Sequence, residues 1–115
     1  MSRNKAIFLL LLLLLSFGGH AETPQWTTRD ERGQTEVHLY LFWSLNCPRC
    51  LEARPQILEL ASRHAWIRVH DHELSRHPDN VGRFVEMAEQ VGAQAQAVPS
   101  LIYCGQMEVG WDDRP

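Results

Sequence analysis

The sequence predicts one small α/β domain: a central mixed β-sheet, made of a parallel β-α-β unit and a C-terminal hairpin, flanked by helices. Three observations predict it. First, the nearly continuous apolar run Val37-His38-Leu39-Tyr40-Leu41-Phe42-Trp43 gives way after Cys47 to apolar residues at helical spacing, and then to a second strand-like run, Trp66-Ile67-Arg68-Val69-His70. Second, a further helical pattern runs from Asp79 or Asn80 to Val91. Third, two short apolar runs flank Gly105-Gln106, a hairpin signal.

The chain opens with Arg3 and Lys5, an apolar run from Ala6 to Leu15, and small residues at Gly19 and Ala21. That order is a signal peptide, residues 1–21, cleaved after Ala21, and the apolar core is short of the roughly 20 residues of a spanning helix. The domain is therefore expected to be exported, and periplasmic in a bacterium. An uncleaved leader tethering it to the membrane is the alternative. Residues 22–36 are polar and turn-rich (Pro24, Gly33), with Trp26 the only large apolar residue, and read as an irregular lead-in; the domain proper is 37–115. No lysine remains beyond the leader, and the 14 acidic residues outnumber the arginines. A catalytic lysine and a basic nucleic-acid face are both excluded.

Within the domain, Val37–Trp43 is β-branched, aromatic and nearly continuous in apolar character, as a strand buried on both faces would be. The helix after it begins at Cys47 and ends near His64. Its predicted inner stripe is Leu51, Arg54, Leu58 and Ala61, with Ile57 and Leu60 beside it, and Pro55 is expected to kink it. The strand at 66–70 should lie parallel to the first, joined by a right-handed crossover. Residues 72–79 read as a polar loop. Val81, Phe84, Val85, Ala88 and Val91 mark the second helix, stopped by Gly92. After a loop at 94–97 come Val98-Pro99-Ser100 and the hairpin strands Leu101–Cys104 and Met107–Trp111. Trp43, Phe84 and Tyr103 are expected in the core.

The cysteines carry the chemistry. In an exported chain, Cys47 and Cys50, separated by two residues, close too small a loop for stapling, so the pair favours redox work. A strand ending and a helix starting at Cys47 place that thiol at a helix N-terminus, where free N–H groups favour a thiolate; Cys47 is the expected nucleophile. Cys50, one turn on, would resolve the mixed disulfide. Pro48 and Arg49 between them would tune the site, Arg49 by adding positive charge. No cofactor or resident metal is implied, although the same pair could instead handle copper(I) or zinc, or belong to a redox-inert interaction domain. His70, His72 and His77 lack a third ligand at zinc-like spacing and read as a solvated strand end and loop. Cys104 reads as a buried structural thiol, with an intermolecular disulfide as its alternative.

Phe42-Trp43 ahead of Cys47-Pro48-Arg49-Cys50, Pro55 eight residues after Cys47, and Val98-Pro99 ahead of a hairpin together resemble the thioredoxin superfamily, over roughly 37–111. The resemblance implies a thioredoxin-like fold and a thiol:disulfide oxidoreductase acting on protein or peptide thiols and disulfides. It also implies a cis-proline at Pro99 facing the dithiol, with Val98 offering backbone groups to an extended substrate. Two departures stand out. Leu41 occupies the position of the family's buried acid, so a proton must leave the resolving thiol by another route. The family's final helix is missing, because the sequence given stops four residues after Trp111; Trp111 is then expected to be exposed, and the chain could be part of a longer protein with a membrane-embedded electron-transfer partner.

Overall fold

The computed structural model describes residues 25–112; the leader and its cleavage site, Pro24 and Pro115 lie outside the described residues. Among the described residues no helix is long and apolar enough to cross a membrane. Among the described residues the fold is a small α/β arrangement of five strands and two helices: β1 Thr27–Arg29, β2 Thr35–Trp43, α1 Pro48–Arg63, β3 Ile67–Glu73, α2 Asp79–Gln90, β4 Ser100–Tyr103 and β5 Gln106–Val109. Antiparallel pairing dominates the sheet. β2 pairs in parallel with β3 along 37–43, whereas β1 with β2, β2 with β4 and β4 with β5 are antiparallel.

The lead-in at 22–36 is corrected by this topology, because it contains β1 and the start of β2. The reason is turn chemistry rather than hydrophobic pattern. The Asp30 carboxylate accepts from the Arg32 and Gln34 backbone N–H groups, both at 2.9 Å, and Gly33 takes φ 78°. That polar turn folds Thr27–Arg29 back onto Thr35–Val37 without any apolar alternation.

β2 carries the core because its successive side chains serve opposite faces. Leu41 and Trp43 pack with Cys50, Ala53 and Ile57 of α1 and with Leu101, while Phe42 packs with Phe84 and Met87 of α2 and with Ile102. One helix thus covers each face of the sheet. Val37–Tyr40 are only half-buried, so within the predicted strand full burial holds for Leu41–Trp43 alone.

The inner stripes of both helices differ from the pattern reading. In α1 the buried residues are Cys50, Ala53 and Ile57, whereas Leu51 and Leu60 are exposed. Cys50 takes the inward position in the first turn, and the neighbouring Leu51 faces outward. In α2, Phe84, Met87 and Ala88 are buried, and Val81 and Val85 are exposed. The parallel strand also runs further than expected: His72 and Glu73 belong to β3, not to a loop.

At the hairpin the turn falls one residue earlier than expected, on Cys104-Gly105, both with positive φ (49° and 75°), the backbone that two-residue hairpins use. Cys104 is consequently exposed, which overturns its reading as a buried thiol. Trp111 is half-buried rather than exposed, donating from Nε1 to Gln56 Oε1 at 2.9 Å and packing on the α1 side. Tyr103 is half-buried as well, while Trp43 and Phe84 lie in the core.

On the α2 face the rings of His38, His70, Tyr40, His72, Phe42 and Phe84 form a stacked ladder, with centroids 4.5 Å apart between Tyr40 and His70 and 5.1 Å between Phe42 and His72. His38 Nδ1 and His70 Nε2 share a hydrogen bond of 2.7 Å, and His38 Nε2 pairs with Thr28 Oγ1. Burial pushes His70 and His72 below their ordinary 6.5, with Arg83 adding to both and His38 to His70. Each is then neutral in the folded chain where it is charged in the unfolded one. The unfolded chain binds more protons there, so stability falls as pH drops through about 6.5 towards the depressed folded values. Urea midpoints measured at pH 7.5 and 5 should therefore fall with pH, and less steeply in His72→Phe. Midpoints unchanged across that interval would show that ring burial does not set the acid limit.

Candidate active site

The site is built where β2 ends and α1 begins. Cys47 is the N-cap of α1, with extended backbone (φ −110°, ψ 108°), and Pro48 opens the helix at a position where its missing N–H costs nothing. The Cys47 sulfur accepts the Cys50 backbone N–H at 3.1 Å, and the Cys47 carbonyl accepts the Leu51 N–H at 3.2 Å. The nucleophile of the sequence reading is thus half-buried at a helix terminus, among N–H groups that the helix itself leaves free.

Cys50 lies beneath it and is fully buried. Burial among Leu41, Trp43, Ala53 and Ile57 pushes its thiol up to about 12, and the hydrogen bond with Cys47 adds to this. The Ser44 backbone N–H and its own N–H act in the opposite sense. Thiol reactivity follows the thiolate, and the two sulfurs differ in kind: one is accessible at a helix terminus, the other is buried and held protonated.

Val98 and Pro99 come to the dithiol from the loop before β4. The Val98–Pro99 peptide bond is cis, and the Cys47 thiol points to the Val98 carbonyl at 3.7 Å. The loop is anchored by Ser100 Oγ donating to the Ala97 carbonyl and by the Gly110 N–H donating to the Pro99 carbonyl, both at 2.7 Å. Beside it runs an open groove of about 890 Å³, lined by Arg49, Val98, Pro99, Glu108, Trp111 and Asp112 among others. All six residues singled out in the sequence therefore gather at one place: Cys47 and Cys50 at the helix start, Pro48 in its first turn, Arg49 on the groove wall, Val98 and Pro99 opposite.

Sequence reasoning missed the supports of this site. Trp43 Nε1 donates to Asp71 at 2.5 Å, and Arg54 pairs with the same carboxylate while lying 4.7 Å over the Trp43 ring. Asp71 stands beside Leu41 in the parallel register, so an acid is present on the neighbouring strand although Leu41 itself is apolar. Glu73 is the other omission. The polar-loop pattern of 72–79 covers it, yet it is buried at the end of β3. No spacing signal could have found either, because strand register brings them to the site. No group of three or more His, Cys, Asp or Glu side chains among the described residues is arranged to hold a metal ion. No family model, curated protein or solved structure matches the chain.

Proposed function

We propose that the chain is a thioredoxin-like thiol:disulfide oxidoreductase that exchanges disulfides with exported proteins or peptides through Cys47 and Cys50. The observation that carries this reading is the pairing of an accessible sulfur at a helix N-terminus with a buried one a single turn below it, joined by the 3.1 Å Cys50 N–H bond to Cys47 Sγ. The parallel β2-α1-β3 unit, the β4-β5 hairpin and the cis Val98–Pro99 bond support the thioredoxin-like comparison.

In the reducing direction the Cys47 thiolate attacks one sulfur of a substrate disulfide. A Cys47–substrate bond forms, and the other substrate sulfur leaves as a thiolate and takes up a proton. Cys50 then gives its proton to water and attacks Cys47 Sγ. The Cys47–Cys50 bond forms, the substrate's second sulfur is released, and two electrons have passed from the protein to the substrate. The same steps reversed oxidise a substrate dithiol, and relative potentials set the direction. The groove beside Val98 and Pro99 is where an extended substrate segment would lie, with Arg49 and Trp111 on its walls. Export by the 1–21 leader and delivery of electrons by a membrane-embedded partner belong to the same proposal.

Trapping tests it. Cys50→Ser removes the resolving sulfur, so mixed disulfides between Cys47 and substrate should accumulate and be seen by mass spectrometry after acid quenching. Stoichiometric copper or zinc on the pair, with no mixed disulfides, would overturn the reading.

A further inference from the structure

We propose that Trp111 sets the substrate preference of the dithiol: its indole, fixed by Gln56, is the wall against which the side chain beside a substrate's reacting cysteine packs. The favoured substrates are then extended peptides that carry a large apolar residue next to that cysteine. The proposal rests on the oxidoreductase reading above and deepens it, naming what the groove takes. Bonds on both sides hold the ring in place. Gly110, with φ 86°, turns the chain after β5, and its N–H donates to the Pro99 carbonyl at 2.7 Å, so the segment is tied to the loop before β4. The Trp111 Nε1 donates to Gln56 Oε1 at 2.9 Å. Gln56 in turn donates from Nε2 to the Glu52 carbonyl, one turn back in α1, at 3.3 Å, which leaves its oxygen for the indole.

The indole has a single donor, and it is spent on Gln56, so what the ring offers the groove is apolar surface. The ring packs against the cluster of Leu41, Trp43, Cys50, Ala53 and Ile57 that Cys47 and Val98 also pack against, and it lines the groove of about 890 Å³. Val98, Pro99 and the exposed Val109 continue the apolar wall. Charge selects less. Arg49 shares the groove with Glu108 and Asp112, of opposite sign, and Glu108 Oε1 already accepts the Tyr103 hydroxyl at 2.9 Å. Exposed ion pairs are weak and screened by salt, whereas an apolar side chain leaving water for an aromatic ring is not screened.

The place of the reacting sulfur makes this contact matter to the first step. The Cys47 thiol points to the Val98 carbonyl at 3.7 Å, and Val98 lines the groove, so a disulfide offered to Cys47 brings its flanking residue to the same wall. A side chain seated on Trp111 holds the substrate sulfur near Cys47 Sγ while the exchange takes place, and a loosely held ring would do so less well. Gln56 acts only through Trp111 and is a positioning residue.

The test uses two short linear peptides, identical except for Phe or Ser beside a single cysteine, each supplied as its symmetrical disulfide to the full chain with a thiol reductant. The readout is the ratio of their kcat/KM values after subtraction of the uncatalysed rates. Because both peptides are measured on one protein preparation, an unfolded fraction cancels. The unsubstituted chain should favour the Phe peptide by roughly tenfold. In Trp111→Ala that ratio should fall to within about twofold of unity, and in Gln56→Leu, which keeps the ring but removes its acceptor, to about threefold. A ratio unchanged in Trp111→Ala overturns the proposal. Should that variant fail to fold, Gln56→Leu decides, and an unchanged ratio there overturns it. S-methylated forms of the two peptides, which cannot exchange, separate the proposal from the reading beneath it when their binding is measured by calorimetry. If the chain exchanges neither disulfide yet binds the S-methylated Phe peptide in preference, the oxidoreductase reading falls and the role of Trp111 in selection stands. If it exchanges both disulfides equally well, the proposal falls and the reading stands. If it neither exchanges nor discriminates, both fall.

Discussion

Cys47→Ala should lower disulfide exchange by roughly a thousandfold or more, because it removes the sulfur proposed to form the first bond and leaves no substitute in its place. Cys50 cannot take over. It is fully buried, and its thiol is pushed up to about 12, so almost none of it is thiolate near neutral pH. Cys104 is accessible, but it sits at the β4-β5 turn, away from the helix terminus that serves Cys47. Turnover of a peptide disulfide with a thiol reductant checks this directly. A variant that keeps more than about a tenth of the activity would place the reacting sulfur elsewhere and overturn the assignment of roles. The fold should survive, since Ala at the N-cap forfeits only a cap of about 1 kcal/mol.

Phe42→Ala should have the largest effect on stability, about 3–5 kcal/mol. Phe42 is fully buried, stacks on Phe84 with centroids 4.7 Å apart and on His72 at 5.1 Å, and lies in the part of β2 that pairs with both β3 and β4. Truncation opens a cavity in the middle of the α2 face, and the paired strands around it have little room to collapse. Domains of this size hold only about 5–15 kcal/mol in total, so the loss is a large share. Urea unfolding followed by circular dichroism measures it. A loss below about 1 kcal/mol would mean that the α2 face contributes little to the fold. Because Phe42 points away from Cys50, whatever protein remains folded should keep its exchange activity.

How much of this was legible in the sequence depended on the kind of physics involved. Cys47, Pro48 and Cys50 could be placed because a helix start is a local event: strand pattern, proline and helical spacing all change within a few residues. The strands at 37–43 and 67–70 and both helices were legible for the same reason. What escaped was set by partners distant in sequence. Leu51 and Leu60 look like core residues by spacing, but the dithiol dictates which side of α1 faces inward, and small Ala53 fits against the sheet instead. β1 is held by the Asp30 turn and by pairing with β2, and its polar residues carry no strand signature. Asp71 and Glu73 reach the site only through the parallel register with Leu41 and Trp43. Cys104 looked buried because it follows three apolar residues, whereas the hairpin needed it at a left-handed turn position.

The hydrogen bond from the Cys50 N–H to Cys47 Sγ has a consequence for folding as well as for chemistry. The atom proposed to make and break bonds with a substrate is also the atom that closes the first turn of α1, a duty usually left to the oxygen of a serine or aspartate. Disulfide formation at Cys47, as proposed, would therefore redraw the cap of the helix that covers the α1 face of the sheet. On that reading the redox state of the pair and the order of that first turn are one equilibrium seen from two sides, and a partner that bound one oxidation state in preference would also select how tightly the helix begins.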